Sequence, residues 1–258
     1  MEIVKKGKIR VLVSDKIDVP HGFTLRDGGV SEGDFESLNL GLRRGDLGFN
    51  AMKNIEICCD ELSLTKENIT LTYQLHTDNV KIVTRDDIGK GIFREWGEGV
   101  DGIITKEKGV PLLCYSADCV PTLLYDKKAD IVGAVHGGWR GTKDNIIKNA
   151  VELMVKEGSD VEDIVAFIGP AIGMCCYEVS EDVGEEFSCY EECVRKKENG
   201  KYHIDLKRIT AMQLKECGLK DENIENSLIC TMCENESFFS HRAQGGRSGL
   251  LGGFIEKK

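Results

Sequence analysis

Between Val110 and Gly169 the chain repeats one pattern that strongly limits its fold: short, partly β-branched apolar runs, each closed by turn residues. The runs are Val110 to Ser116, Val120 to Tyr125, Ile131 to His136 and Ile164 to Gly169. Runs of four to eight such residues are strand signals. Strands that are apolar on both faces need covering layers. Helical spacing supplies candidates. Asp144 to Gly158 carries Ile146, Ile147, Ala150, Val151, Met154 and Val155 at helical intervals and ends on glycine. Val179 to Phe187 and Leu206 to Cys217 read as helices in the same way, whereas Thr65 to Asn68 fits either a loop or a short helix. The expected class is α/β (α+β): a layered sandwich of mixed sheets covered by helices. With no internal repeat and no Pro-rich hinge, 1–258 is expected to be a single domain.

Composition narrows the function. The formal net charge is −10. A nucleic-acid partner needs a basic face, so none is expected. No stretch approaches the roughly 20 apolar residues that span a bilayer, and the first residues lack an apolar leader core. A protein that stays in the cytoplasm, without a membrane partner, is expected. Eleven cysteines, an odd number without a secretion signal, read as reduced thiols, most of them small buried hydrophobes. Cys230-Thr231-Met232-Cys233 is a CxxC, but with no second CxxC or paired His motif its metal signal is weak.

Two of the five histidines stand in informative settings. His136 closes an apolar strand and runs at once into Gly137-Gly138-Trp139-Arg140-Gly141, a carboxyl-end position where open sheets place ligands. His76 follows Tyr73-Gln74-Leu75 and precedes a polar turn. Cys119 lies in a polar break, Ser116-Ala117-Asp118-Cys119, between two apolar runs, a setting that a merely buried thiol does not need. Together the three match the open ligand set of catalytic zinc. They lie far apart in the chain, so spacing alone does not bring them together. Asp118 could orient a ligand or accept a proton. Arg26, Arg140, Arg242 and Arg247 sit in glycine turns, suited either to anion binding or to plain surface. His203 has no informative neighbour and reads as surface or edge strand. Phosphate-loop, HExxH, GxSxG and base-deaminase signatures are absent.

The ordered set His21-Gly22-Phe23-Thr24-Leu25-Arg26-Asp27-Gly28-Gly29, Ser37-Leu38-Asn39-Leu40-Gly41, Gln74-Leu75-His76, Ala117-Asp118-Cys119, Ala134-Val135-His136-Gly137-Gly138-Trp139-Arg140-Gly141, Ile168-Gly169-Pro170 to Cys175-Cys176-Tyr177-Glu178-Val179 and Phe238-Phe239-Ser240-His241-Arg242 resembles the laccase-domain or "polyphenol oxidase" family of single-metal purine nucleoside phosphorylases, also described as peptidoglycan-editing-factor-like. The resemblance spans about residues 21 to 254. It implies a metal on His76, Cys119 and His136, with zinc expected and copper the alternative. It implies phosphorolysis of adenosine, inosine and methylthioadenosine, with adenosine deamination as a further activity, and therefore purine nucleosides and phosphate as partners of a monomer or homodimer. Asp118, Arg140 and Cys176 become catalytic candidates, and Arg26, Asn39, Arg242 and Arg247 substrate-binding candidates. Cys175, Cys176, Cys230 and Cys233 are expected not to ligate this metal. Leu75, Thr77, Gly137, Met174 and His241 depart from the family pattern, and His241 stands where a substrate could be touched.

Three other readings compete. One is a metal-free cysteine hydrolase with Cys119 as nucleophile. Another is a binding or editing protein for peptidoglycan precursors. The third is a copper phenol oxidase, which five histidines argue against, because multicopper centres need many more.

Overall fold

The computed structural model describes residues 1–258. Its backbone forms two six-stranded sheets and one three-stranded sheet. The first sheet runs, in spatial order, Glu2–Lys6, Ile9–Val13, His21–Thr24, Leu251–Ile255, Leu112–Ser116 and Thr70–Leu71. The second runs Ile224–Asn226, Val165–Ile168, Val120–Asp126, Ile131–Gly137, Gly102–Thr105 and Val80–Val83. Neighbours are antiparallel except at one end of the first sheet and both ends of the second. The mixed α/β sandwich expected from the sequence is what forms.

The period-two alternation of side chains assigns each strand residue to a layer. From Ile131–Gly137, Val132 and Ala134 point between the sheets, where they meet Leu12, Phe23, Leu112, Cys114 and Phe167. Ile131 and Val135 point outward, against the helices Ile146–Lys156 and Leu206–Glu216. From Leu112–Ser116, Leu112 and Cys114 face the sandwich interior. Leu113 and Tyr115 face the opposite side, packed with Ile55, Cys58 and Cys59 of the helix Gly48–Glu61. The order of layers is therefore helix, sheet, sheet, helices. Strands covered on both faces carry no polar alternation, which is why the runs after Val110 read as continuously apolar.

One helix was unforeseen, and two local expectations need correction. The longest helix, Gly48–Glu61, gave no sequence expectation. The helix expected over Val179 to Phe187 is shorter: Glu178–Val179 is a strand, and the helix covers Glu181–Glu185. His203 lies not at a surface or edge strand but in Tyr202–Ile204, the middle strand of the small sheet, where its Nδ1 bonds the Met174 carbonyl at 2.7 Å. The undecided Thr65 to Asn68 stretch contains a single 3-10 turn, Lys66–Asn68. No helix is long and apolar enough to cross a membrane.

Candidate metal centre

A hairpin sets half of the centre. Val120–Asp126 turns through Lys127 to Asp130 into Ile131–Gly137, with Asp126 Oδ1 accepting the N–H groups of Lys128 and Ala129 at 2.8 and 3.0 Å. The register pairs Val120 with Gly137 and Pro121 with His136. Cys119, one residue before the strand, thus arrives beside Gly138. His136 shares the parity of Val132 and Ala134 and points between the sheets at the strand's end, where it is 3% exposed.

Asp101, wholly buried at the start of Gly102–Thr105, brings in the other half. Its Oδ1 lies 2.9 Å from His136 Nδ1, which leaves Nε2 of that ring for the site. The same oxygen accepts the His76 backbone N–H at 3.0 Å. Oδ2 accepts the N–H groups of Leu75 and Thr77 and the Thr77 hydroxyl at 3.1, 2.9 and 2.9 Å. These bonds hold His76 in the left-handed region, at φ 62°, a conformation costly for a residue with a Cβ unless its surroundings fix it. Burial alone would push the Asp101 carboxyl up. The His136 contact and the donated hydrogen bonds outweigh burial and hold it below the usual range.

The result is a three-donor cluster. One ligand atom from each of His76, Cys119 and His136 lies within 4.8 Å of the others. His76 Nε2 is 3.7 Å from Cys119 Sγ, and the two imidazoles meet edge to face, 5.0 Å between centroids. Burial disfavours the Cys119 thiolate, but His136 beside it prevails and brings the thiol down to about 6. His136, also buried, is pushed up to about 9 by the same neighbour and by Asp101. Gly138 completes the cradle: a Cβ there would lie 2.4 Å from His76 Cδ2 and 3.4 Å from Cys119 Sγ. Two imidazole nitrogens and an easily ionised thiol, fixed in place and crowded by a residue that must be glycine, fit a divalent metal of the zinc or copper kind.

The cluster ends a pocket of about 380 Å³, within the range of small-molecule sites. Arg43, Arg44, Tyr73, Gln74, Tyr115 and His241 are on its wall. The Tyr115 hydroxyl is buried with no protein partner, and such groups generally call for an explanation. Sequence reasoning missed Asp101, Arg43, Arg44 and Tyr115. The only signal was their neighbourhood: the glycine-rich stretches at Gly45 to Gly48 and Gly97 to Gly102 adjoin three of them.

The other candidates from the sequence fall around the pocket rather than on it. Asp118, at φ 87°, accepts the Thr231 hydroxyl at 2.6 Å and the Arg242 N–H at 2.7 Å, so each carboxylate oxygen already has a partner. Arg242 also donates to the Glu178 carbonyl at 2.9 Å. Asn39 is fully buried; its Oδ1 accepts the N–H groups of Gly41 and Leu250, and it shapes the pocket floor from behind. Arg26 donates to the carbonyls of Glu36 and Asn235 and lies over the Phe239 ring. Arg140 is exposed and stacks on Trp139, and Arg247 pairs with Asp34 at 3.1 Å. The Cys176 thiol lies 3.4 Å from that of Cys233 and does not line the pocket.

A layered α/β sandwich with one His-Cys-His centre at a pocket end is thus the class that fold and site define. Residues 20–258 match the family described as multi-copper polyphenol oxidoreductase laccase, and the chain belongs to that family. It is similar to the purine nucleoside phosphorylase YlmD of Bacillus subtilis, at 37% identity covering 93% of this chain and 89% of that one. It is also similar to the adenosine deaminase RL5 of an unknown prokaryotic organism, at 35% identity covering 73% and 75%. The crystal structure of the hypothetical protein YfiH of Bacillus licheniformis superposes with a TM-score of 0.92 at 33% identity, covering 97% of both chains.

Proposed function

We propose that residues 1–258 act as one laccase-like domain with zinc-dependent purine nucleoside phosphorylase activity and an accompanying adenosine deaminase activity. The domain works in the cytoplasm as a monomer or homodimer on soluble nucleosides and phosphate, with no nucleic-acid or membrane partner. One observation carries the reading: His76, Cys119 and His136 converge at the end of a nucleoside-sized pocket that also holds two arginines. The names of its relatives give the same chemistry.

The three residues would hold the metal, which supplies Lewis acidity beside the substrate when bound. The chain's own groups do the rest. In phosphorolysis the C1′–N9 bond breaks, a phosphate oxygen bonds to C1′, and the purine leaves with the electron pair. Arg43 and Arg44 are placed to hold phosphate, since guanidinium suits its oxygens. Arg140, Arg242 and Arg247 remain candidates for the same task from outside the pocket. Tyr115 and His241 are placed to meet the base or ribose. Asp118 holds the Cys119 loop through Thr231 and Arg242, and Asn39 and Arg26 brace the walls. Pure protein given adenosine and phosphate should form adenine and ribose 1-phosphate, with inosine as the deamination product, and chelation should suppress both.

One observation favours a second reading. Cys119, His136 and Asp101 stand in the order nucleophile, base and orienting carboxylate of a cysteine hydrolase. His76, a second nitrogen close to the same sulfur, has no part in such a triad. Turnover that survives chelation, needs no phosphate and is lost in Cys119→Ser would establish the hydrolase instead.

A further inference from the structure

Four of the eleven cysteines leave the small-hydrophobe role that their number suggested. Cys175 and Cys176 come from the turn after Ile172, and Cys230 and Cys233 from a loop far along the chain. A pairing between Ala171 and Cys230 draws the two loops together, with Thr231 N–H donating to the Ala171 carbonyl at 3.1 Å. All four sulfurs then lie within 4.8 Å of one another. Cys233 Sγ is 3.6 Å from Cys175 Sγ and 3.4 Å from Cys176 Sγ. In a tetrahedral tetrathiolate with zinc–sulfur bonds near 2.3 Å, sulfurs stand about 3.8 Å apart. The spacing suits one ion, whereas a multi-iron cluster would need its thiolates spread around a larger core.

The surroundings are shaped for thiolates as well. The Gly173 N–H donates to Cys230 Sγ at 3.2 Å. A Cβ on Gly173 would lie 3.2 Å from both Cys175 Sγ and Cys230 Cβ. Lys207, 3% exposed, donates to the Ile229 carbonyl, next to Cys230; burial lowers its pKa, and the nearby Asp205, Cys230 and Cys175 oppose that. A buried ammonium needs an anionic neighbour. Asp205 is one such neighbour, and four thiolates around one divalent ion, with a net charge of −2, add to it.

We propose that Cys175, Cys176, Cys230 and Cys233 form a second metal site, a closed four-thiolate zinc site of structural type, separate from the His76, Cys119 and His136 centre. Loading is proton exchange without redox change: four S–H bonds give up protons to solvent as four zinc–sulfur bonds form. The ion staples the loop before Tyr177 to the loop after Ile229. Those loops also brace Asp118, since the Ile172 N–H donates to the Asp118 carbonyl at 2.9 Å and Thr231 donates to its carboxylate. The site secures the wall next to Cys119 from behind.

The test counts metal on the full chain, purified without air or added metal from zinc-sufficient cells. Native mass spectrometry and elemental analysis should give two zinc ions per wild-type chain. Cys230→Ser and Cys233→Ser should each lose one, His136→Ala should lose the other, and His136→Ala combined with Cys233→Ser should hold none. Cobalt loaded into His136→Ala should show the intense bands of a tetrahedral thiolate site, absent once Cys233→Ser is added. A wild-type chain with a single zinc ion, wholly lost in His136→Ala, overturns the proposal. So does a Cys176–Cys233 or Cys175–Cys233 disulfide in the freshly purified protein. Both outcomes are read on wild-type or His136→Ala protein, so misfolding of a cysteine variant does not shelter the proposal. Neither outcome depends on which reaction the pocket catalyses.

Discussion

Asp101 Oδ1 and His136 Nδ1 meet at 2.9 Å with both side chains sealed from solvent, and the same carboxylate holds the backbone on either side of His76. One residue therefore sets the tautomer of one imidazole and the position of the other. Partners of this kind typically change metal affinity by about 10- to 100-fold when lost. Asp101→Asn should weaken zinc binding by about that factor in a chelator competition. It should also lower the melting temperature, because a neutral amide accepts the buried N–H groups less well. An affinity equal to wild type would remove Asp101 from the site's support.

Gly138 has no room for a methyl group beside His76. Gly138→Ala should displace the imidazole and leave the purified protein short of one metal equivalent. The fold should persist, with a destabilisation of about 1–3 kcal/mol, the usual cost of overpacking. Circular dichroism with metal analysis separates the two effects. Full metal content in a normally folded variant would contradict the crowding argument.

The arginines divide into two groups that kinetics can tell apart. Arg43 and Arg44 line the pocket, whereas Arg26 is engaged with backbone carbonyls. Arg43→Ala or Arg44→Ala should raise the KM for phosphate by about 10- to 100-fold, equivalent to a charged hydrogen bond of roughly 1.5–3 kcal/mol. Arg26→Ala should appear chiefly as a lower melting temperature. If phosphate KM responds to Arg140→Ala or Arg242→Ala and to neither pocket arginine, phosphate sits elsewhere.

His21 gives a pH signature far from the metal. Its Nδ1 donates to the Val19 carbonyl at 2.8 Å, and its Nε2 accepts the Ser14 N–H at 2.9 Å, so only the neutral ring satisfies both. Burial lowers its pKa below the ordinary 6.5. The unfolded chain then takes up a proton that the folded chain refuses. The stabilisation is complete above about pH 6.5 and is lost as pH falls through the lower folded value. Between pH 6.5 and 5.5 wild type should lose up to about 1 kcal/mol more stability than His21→Gln in denaturant titrations. Equal losses would exonerate His21.

How far the sequence can be read follows from where each signal arises. The strands around Cys119 and His136 were legible because covering on both faces leaves continuous apolar runs. The helix Gly48–Glu61 was not: its buried face is Ala51, Asn54, Ile55, Cys58 and Cys59, so cysteines complete the apolar stripe and Asn54 interrupts it. Leu251–Ile255 gave no strand expectation, because Gly252 and Gly253 interrupt its apolar run. Glycine is needed there because a Cβ on Gly253 would meet the Phe23 ring at 2.8 Å. The trio His76, Cys119 and His136 stood out through local polar breaks in apolar surroundings. Asp101 and the partners of the CxxC at Cys230 did not, because each depends on contacts that only the tertiary fold creates.

The place of Leu251–Ile255 in the first sheet has a consequence for biogenesis. It lies between His21–Thr24 and Leu112–Ser116, pairing antiparallel with both. Until it has left the ribosome, those two strands have no shared neighbour, and the sheet stays in two halves with open edges. Closing it requires contacts between segments far apart in sequence, the kind that form slowly. The first sheet can therefore close only once Leu251–Ile255 is free to insert between its two neighbours.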